Sequence, residues 1–263
     1  MFDKAIKMID LHTHILPGLD DGAQTLEESI EMCRISHQDG VRTVVATPHI
    51  LPGIYKNDRP TILSKLKELN DAITKNHSEL RTYPSESSLT VLPGADVHFS
   101  SDLFQRCEKG EVMTVNDQGR YLMVEFIFQG IPHQAEEVLF QLIAKGIIPI
   151  ISHPERNMEI GQRPKRYYEM VRMGCLGQVT AMSLIGDFGS EIKRVAERLL
   201  SRRLLHTIAS DSHSVHRRPP ILSNAVKAAA KIVGKEEACK MVTEYPEAII
   251  EGRRPDVPEP IEP

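Results

Sequence analysis

The sequence predicts an α/β chain folded as one (β/α) barrel, and three observations lead there. Apolar runs alternate with amphipathic segments about seven times, a rhythm that implies parallel strands joined by right-handed helical crossovers. The length of 263 residues exceeds a usual domain but suits a single barrel. His, Asp and Glu recur at the C-terminal ends of the apolar runs, where a barrel builds its active site. A doubly wound open sheet also fits the alternation, because strand order is not written in the sequence. Residues 1–252 are assigned to this one domain, and the tail, residues 253–263 with four prolines, is expected to be disordered.

Taken in order, Met8 to His14 reads as a strand in which His12 and His14 share one face while Ile9, Leu11 and Thr13 take the other. Pro17 to Gln24 is a polar loop holding Asp20-Asp21-Gly22, and Thr25-x-x-Glu28 is a capping box opening a helix to about Gln38, which Gly40 ends. Val41 to Thr47 is a β-branched strand that delivers Pro48-His49. A helix from about Pro60 to Asn76 carries Ile62, Leu63, Leu66, Leu69 and Ile73 at helical spacing, and a Ser/Thr-rich turn follows. Leu89 to Val97 is a strand bearing Asp96, with His98 just beyond it; a short helix, about Ser101 to Lys109, and a hairpin turn at Asn116 to Gly119 come next. Tyr121 to Phe128 is apolar apart from Glu125, and a buried carboxylate has to be paired or bound to a cation. His133 to Lys145 is helical, Ile147 to His153 a strand, Arg163 to Met173 a helix, Cys175 to Thr180 a strand and Phe188 to Arg203 a helix. Leu205 to His213 is the last strand, before helices at about Pro220 to Val233 and Lys235 to Gly252.

A net charge of -4 and a pI near 6.3 supply no global basic field, which argues against nucleic acid as the partner. Met1 to Lys7 lacks the apolar core of a leader, and the apolar runs are far shorter than a membrane span, so a cytoplasmic protein without membrane insertion is expected. Cys33, Cys107, Cys175 and Cys239 form no C-x-x-C pair and read as reduced, packed thiols.

Nine strand-end or loop residues converge in this scheme: His12, His14, Asp21, His49, Asp96, Glu125, His153, Asp211 and His213. That number exceeds one tetrahedral site and suggests two or three metal ions sharing bridging carboxylates. Arg156 and Arg218 accompany them, and guanidinium binds phosphate bidentately, so metals and arginines at one rim point to a phosphoester. Arg217, beside Arg218, is expected to face solvent. No cysteine is followed six positions later by arginine, and no G-x-x-x-x-G-K-[ST] loop occurs. Hydrolysis would then rely on hydroxide generated at bridging metals rather than on a thiolate or a nucleotide.

The stretches I-D-L-H-T-H-I-L-P-G-L-D-D-G-A, A-T-P-H, L-P-G-A-D, L-M-V-E-F, I-S-H-P-E-R, Q-V-T-A-x-S-L-x-G-x-F-G and A-S-D-S-H, running from about Met8 to Gly252, resemble the polymerase-and-histidinol-phosphatase (PHP) family. Within it they are most similar to the metal-dependent protein-tyrosine phosphatases of bacterial capsule and exopolysaccharide clusters. The resemblance implies a distorted (β/α)7, TIM-like barrel with three divalent ions, Mn²⁺ foremost, with Zn²⁺, Fe²⁺ or Mg²⁺ as alternatives. It assigns His12, His14, Asp96 and Asp211 to one ion, Asp96, Glu125 and His153 to the second, and Asp21, His49 and His213 to the third. Arg156 and Arg218 match its phosphate-binding arginines, and His49 or Asp21 would serve the leaving phenol as acid. Relatives usually carry glutamate where this chain has Asp96, and His98 is a bystander or a substitute ligand. The implied substrate is phosphotyrosine in the tail of a bacterial tyrosine kinase that controls capsule or exopolysaccharide export, and a homo-oligomer is compatible with the pattern. Alternatives are a small-molecule phosphatase such as histidinol-phosphatase, or a non-catalytic interaction module.

Overall fold

The computed structural model describes residues 7–80 and 89–263; the expected Ser/Thr-rich turn and nearly all of the N-terminal stretch lie outside them. The strands are β1 (Met8–Thr13), β2 (Val41–Ala46), β3 (His49–Leu51), β4 (Tyr55–Lys56), β5 (Thr90–Pro93), β6 (Asp96–His98), β7 (Tyr121–Glu125), β8 (Ile148–Ser152), β9 (Leu176–Thr180) and β10 (Thr207–Ala209). Between and after them run α1 (Leu26–Asp39), α2 (Arg59–Leu80), α3 (Leu103–Glu108), α4 (Ala135–Ala144), α5 (Met158–Gln162), α6 (Lys165–Met173), α7 (Ala181–Ile185), α8 (Ser190–Ser201), α9 (Ser223–Val233), α10 (Lys235–Lys240) and α11 (Glu244–Ile250). The capping box holds: the Thr25 hydroxyl accepts from the Glu28 amide, and Gly40 closes α1 at φ 101°. No described helix is long and apolar enough to cross a membrane.

The strands fall into two sheets, β1-β2-β5 and β10-β9-β8-β7-β6-β3-β4, with every pairing parallel except β3 with β4. The ladders are therefore split in two rather than closed into one barrel. One expected strand is interrupted, Gly94-Ala95 separating β5 from β6, while the strand expected over Val41 to Thr47 ends near Thr47 as β2 and the chain continues past Pro48 into the unforeseen β3. A Cβ on Gly94 would lie 2.7 Å from Val45 Cγ1, so only glycine lets the two strands pass this closely. On the far side, β1 lies beside β10. Asp211 N donates to His12 O and His14 N to Ser212 O, both at 2.8 Å, and the Asp10 carboxylate accepts from Ser210 N at 2.9 Å.

Other expectations are corrected. The hairpin at Asn116 to Gly119 is absent, because β6 and β7 run parallel; Asn116 and Asp117 instead turn the chain with φ of 52° and 54°. The expected helix from Phe188 begins only at Ser190, behind the unforeseen α7; the helix expected over Arg163 to Met173 is present as α6, preceded by the unforeseen α5, and the segment Lys235 to Gly252 divides into α10 and α11.

Packing follows the period-two rule along most strands. Tyr121 and Met123 of β7, Ile150 of β8 and Leu176 of β9 form one small cluster with Ile9, Leu11 and Val45, while Leu122, Val124, Ile151 and Val179 join the larger core under the helices. The same alternation puts Glu125, Ser152 and Gln178, one step further along the inward-facing positions, directly above the small cluster. Strand β1 departs from this rule. Its register against β2 shifts between Asp10 and Thr13, a bulge that lets Leu11 enter the small cluster while the next residue, His12, also turns to the same side. The expected separation of Leu11 from the histidines is thereby overturned.

The proline-rich tail has no regular secondary structure, yet it is held rather than loose. Tyr121 Oη donates to Arg253 O at 2.6 Å, Ile261 N to Arg202 O at 2.9 Å, and Lys165 pairs with Glu262 at 3.0 Å. Composition does not report these anchors because each depends on a residue distant in the sequence, Tyr121, Lys165 or Arg202.

Candidate metal centre

His12 and His14 are fully buried, and each has its outer nitrogen tied down. His12 Nδ1 donates to Gln178 Oε1 at 2.8 Å, and His14 Nδ1 donates to Asp20 Oδ2 at 2.7 Å. With the protons fixed there, both Nε2 lone pairs point inward, and these two atoms are only 3.1 Å apart. Two facing lone pairs repel unless a cation stands between or beside them. The protein's own answer is electrostatic: burial opposes charge on His14, but the Asp20 and Asp211 carboxylates outweigh it and push its pKa up to about 10. His12 is driven the other way, down to about 3, chiefly by burial. A divalent ion would satisfy both rings without that proton.

Two more carboxylates surround the pair. Asp211 Oδ1 is 3.5 Å from His12 Nε2 and 3.4 Å from His14 Nε2. Asp96 is fully buried; its Oδ1 accepts from Ser152 at 2.6 Å, whereas Oδ2 has no hydrogen-bond partner and lies 3.6 Å from His12 Nε2 and 3.5 Å from His49 Nδ1. An orphaned, buried carboxylate oxygen between two imidazole nitrogens fits a bridging metal ligand. Burial, with the Glu125 charge beside it, raises the Asp96 pKa to about 7, so an added cation is needed to keep this carboxyl ionised.

The remaining residues extend the cluster outward. Registers His49↔Asp96 and His98↔Glu125 set these side chains next to one another at the strand ends. Glu125 lies 3.4 Å from His49 Nδ1, 3.4 Å from His153 Nε2 and 3.5 Å from His98 Nδ1. Asp21, half exposed, reaches within 3.7 Å of His49 Nε2 and 3.6 Å of His213 Nε2. Donor atoms thus gather in three overlapping groups: His12, His14 and Asp96; His49, Asp96 and Glu125; His14, Asp21, His49 and His213. All nine sequence-predicted ligand residues lie at this one place. Burial lowers the pKa of His49 to about 4 and of His213 to about 2, holding both in the neutral form that binds metal.

The backbone is strained at the same spot. His153 has φ 34° and Asp211 φ 51°, left-handed values that cost a non-glycine residue about 1–3 kcal/mol and persist where function needs them. Gly22, in the loop that supplies Asp20 and Asp21, could not be replaced: its Cβ would lie 2.1 Å from His14 O.

Both predicted arginines reach the centre. Arg156 Nη1 donates to Asp211 Oδ2 at 2.9 Å and Arg218 Nη2 donates to the same oxygen, while Arg218 Nε is buried without a partner. Arg217 is exposed, as expected. Sequence reasoning missed Asp20, Gln178 and Ser152, which orient ligands without ligating; the doubled acid Asp20-Asp21 and the polar Gln178 in an apolar strand were the available signals.

Asp96 can be tested directly. Asp96→Ala is expected to lose bound metal and turnover together, whereas Asp96→Glu, with one methylene more, should keep or improve activity. Metal analysis alongside kcat decides this, and full metal content in Asp96→Ala would refute the bridging role.

A profile described as capsular polysaccharide synthesis, CpsB/CapC, matches residues 8–251. The tyrosine-protein phosphatase YwqE of Bacillus subtilis is 37% identical over 243 residues, covering 92% of this chain and 91% of the relative. The tyrosine-protein phosphatase CpsB of Streptococcus agalactiae serotype III is 30% identical over 248 residues, 92% and 98% of the two chains. Crystal structures of YwqE from Bacillus subtilis and CpsB from Streptococcus pneumoniae, described as metal-dependent tyrosine phosphatases, include a chain that superposes with a TM-score of 0.90 at 36% identity, covering 97% of this chain and 99% of that one. A histidinol phosphate phosphatase from Lactococcus lactis shares the fold at a TM-score of 0.54 and 10% identity, over 88% and 94% of the chains.

Proposed function

This chain belongs to the CpsB/CapC family, and from that premise and its own site we propose that it is a metal-dependent protein-tyrosine phosphatase hydrolysing phosphotyrosine in proteins. One observation carries the reading: Asp211 turns Oδ1 to the facing histidine nitrogens and Oδ2 to both arginines. A phosphoryl group bound by those guanidiniums stands one carboxylate away from the cation-binding atoms.

The reading treats the two sheets as one distorted, seven-stranded barrel whose second and third strands are broken. It places three divalent ions, Mn²⁺ foremost, on His12, His14, Asp96 and Asp211; on Asp96, Glu125 and His153; and on Asp21, His49 and His213. When bound, such ions supply Lewis acidity, lowering the pKa of water and neutralising phosphoryl charge. The chain's own groups do the rest. Arg156 and Arg218 hold the equatorial oxygens and stabilise charge that grows as the ester bond breaks. Tyrosine's phenol has a pKa of about 10, so it leaves readily when a proton is available. His49 is held neutral as a ligand, so half-exposed Asp21, 3.7 Å from it on the open side of the centre, is the group placed to relay that proton from water. The substrate in this reading is the phosphorylated tail of a tyrosine kinase that acts in capsule or exopolysaccharide synthesis, met in the cytoplasm.

No cysteine takes part. Burial pushes the Cys33, Cys107 and Cys175 thiols up to about 12, far from a reactive thiolate. Metal-supported hydrolysis is therefore expected to survive iodoacetamide, and loss of turnover on alkylation of one folded cysteine would overturn the assignment. The deciding experiment is steady-state hydrolysis of a phosphotyrosine peptide, a phosphoserine peptide and histidinol phosphate, with Mn²⁺, Zn²⁺ and Mg²⁺ each supplied. The phosphotyrosine peptide should give the highest kcat/KM; preference for histidinol phosphate would favour the small-molecule reading.

A further inference from the structure

Two phenylalanines stand against the arginines and have no part in the chemistry above. Phe128, three residues beyond Glu125, has its ring 4.9 Å from Arg156 Cζ and 6.0 Å from the His153 ring. Phe188, between α7 and α8, has its ring 5.0 Å from Arg156 Cζ and 5.7 Å from Arg218 Cζ. Phe188 is half-buried, but Phe128 is 45% exposed. Phe128 packs against Arg156 and His153 on one side only, and with its exposed neighbour Ile127 it leaves a small apolar surface at the edge of the polar centre, where an apolar group of a bound substrate can be covered.

The geometry divides labour between the face and the edge of a guanidinium. Rings attract its face, while its N–H groups lie in the plane and remain free for an anion. Arg156 and Arg218 carry like charges to a single carboxylate oxygen. The Phe188 ring offers both a π face at that crowded point, so it holds each in place without using a donor. An ester group that extends from a phosphoryl on the Arg156 side of the centre lies beside the rings that flank this arginine.

Resting on the phosphatase reading of the same site, we propose that Phe128 and Phe188 form an aryl-selecting bracket. Phe188 positions the two arginines, and the exposed Phe128 ring packs against the aromatic ring of the substrate, so that aryl phosphates bind in preference to alkyl phosphates. Ring–ring contact adds to plain burial by an amount that corresponds to roughly a threefold to tenfold gain in affinity.

The test compares phenylphosphonate with propylphosphonate as competitive inhibitors of phosphotyrosine-peptide hydrolysis by the Mn²⁺-loaded enzyme. In the unaltered protein, phenylphosphonate should bind more tightly. Phe128→Leu should shrink that preference about threefold to tenfold and raise KM for the peptide with little change in kcat, while Phe128→Tyr should restore both. Phe188→Leu should weaken the two phosphonates equally, because it acts through the arginines. The proposal is overturned if Phe128→Leu weakens both inhibitors alike or leaves their ratio unchanged, even with the peptide still hydrolysed. An unaltered enzyme that turns over no phosphotyrosine defeats the underlying reading instead, and this proposal with it.

Discussion

Alanine at His12 or at Asp211 is expected to abolish phosphotyrosine hydrolysis, lowering turnover by at least about 10³-fold, and to deplete bound metal. Loss of an outer partner of a ligand typically costs about 10–100-fold, so Gln178→Ala and Asp20→Asn should fall in that lesser range. The reason lies in where the two residues sit. His12 contributes one of two nitrogens 3.1 Å apart, and without it the ion shared by His14, Asp96 and Asp211 loses a ligand at the centre of the cluster. Asp211 balances two imidazoles on one oxygen and two guanidiniums on the other. Its removal leaves positive charge buried without a counterion, so Asp211→Asn, which keeps the shape, is the companion variant to measure. Metal content by mass spectrometry and the melting temperature separate the causes. Full occupancy in either folded variant would mean that the ligand set is wrong.

Arg218→Ala should lower kcat by about 10²-fold or more, because a donor aimed at developing phosphoryl charge acts mainly in the transition state. Its Nε, buried with no partner, is the kind of donor that a substrate oxygen would complete. The neighbouring Arg217 is exposed and supplies the control: Arg217→Ala should change kcat by less than about twofold, as a surface substitution does. If Arg218→Ala raised KM alone, Arg218 would bind ground state and transition state equally, and the catalytic part of its role would fall.

Much of the centre was legible because strand ends are simple places. A residue at the C-terminal end of an apolar run has few options, so His49, Asp96, Glu125, His153 and Asp211 could be grouped without knowing which strand neighbours which. The face assignment in β1 was not legible in the same way. Period two separates Leu11 from His12, and only the bulge against β2 reunites them; a bulge is set by the partner strand's register, which no local pattern encodes. The break at Gly94 was hidden for a like reason, since it depends on Val45 from another strand. The hairpin at Asn116 failed because turn chemistry was right, φ being positive there, while the direction of the next strand was decided elsewhere. Asp20 and Gln178 were missed as orienting groups because sequence spacing reports proximity to a ligand but not which atom accepts its proton.

The seam between β1 and β10 also governs when this protein comes to exist as an enzyme. Ser210 N reaches back to Asp10 across 200 residues, and Asp211 meets His12 and His14 only when the last strand docks beside the first. On a ribosome adding about 5–20 residues per second, His12 and His14 emerge roughly 10–40 s before Asp211. For that interval β1 pairs with β2 on one side only, its other edge is open to wrong partners, and contacts of such long sequence separation close slowly. A growing chain therefore stays inert towards its substrate until Asp211 has emerged and docked, and the open edge of β1 is where synthesis at high temperature or without chaperones should fail first.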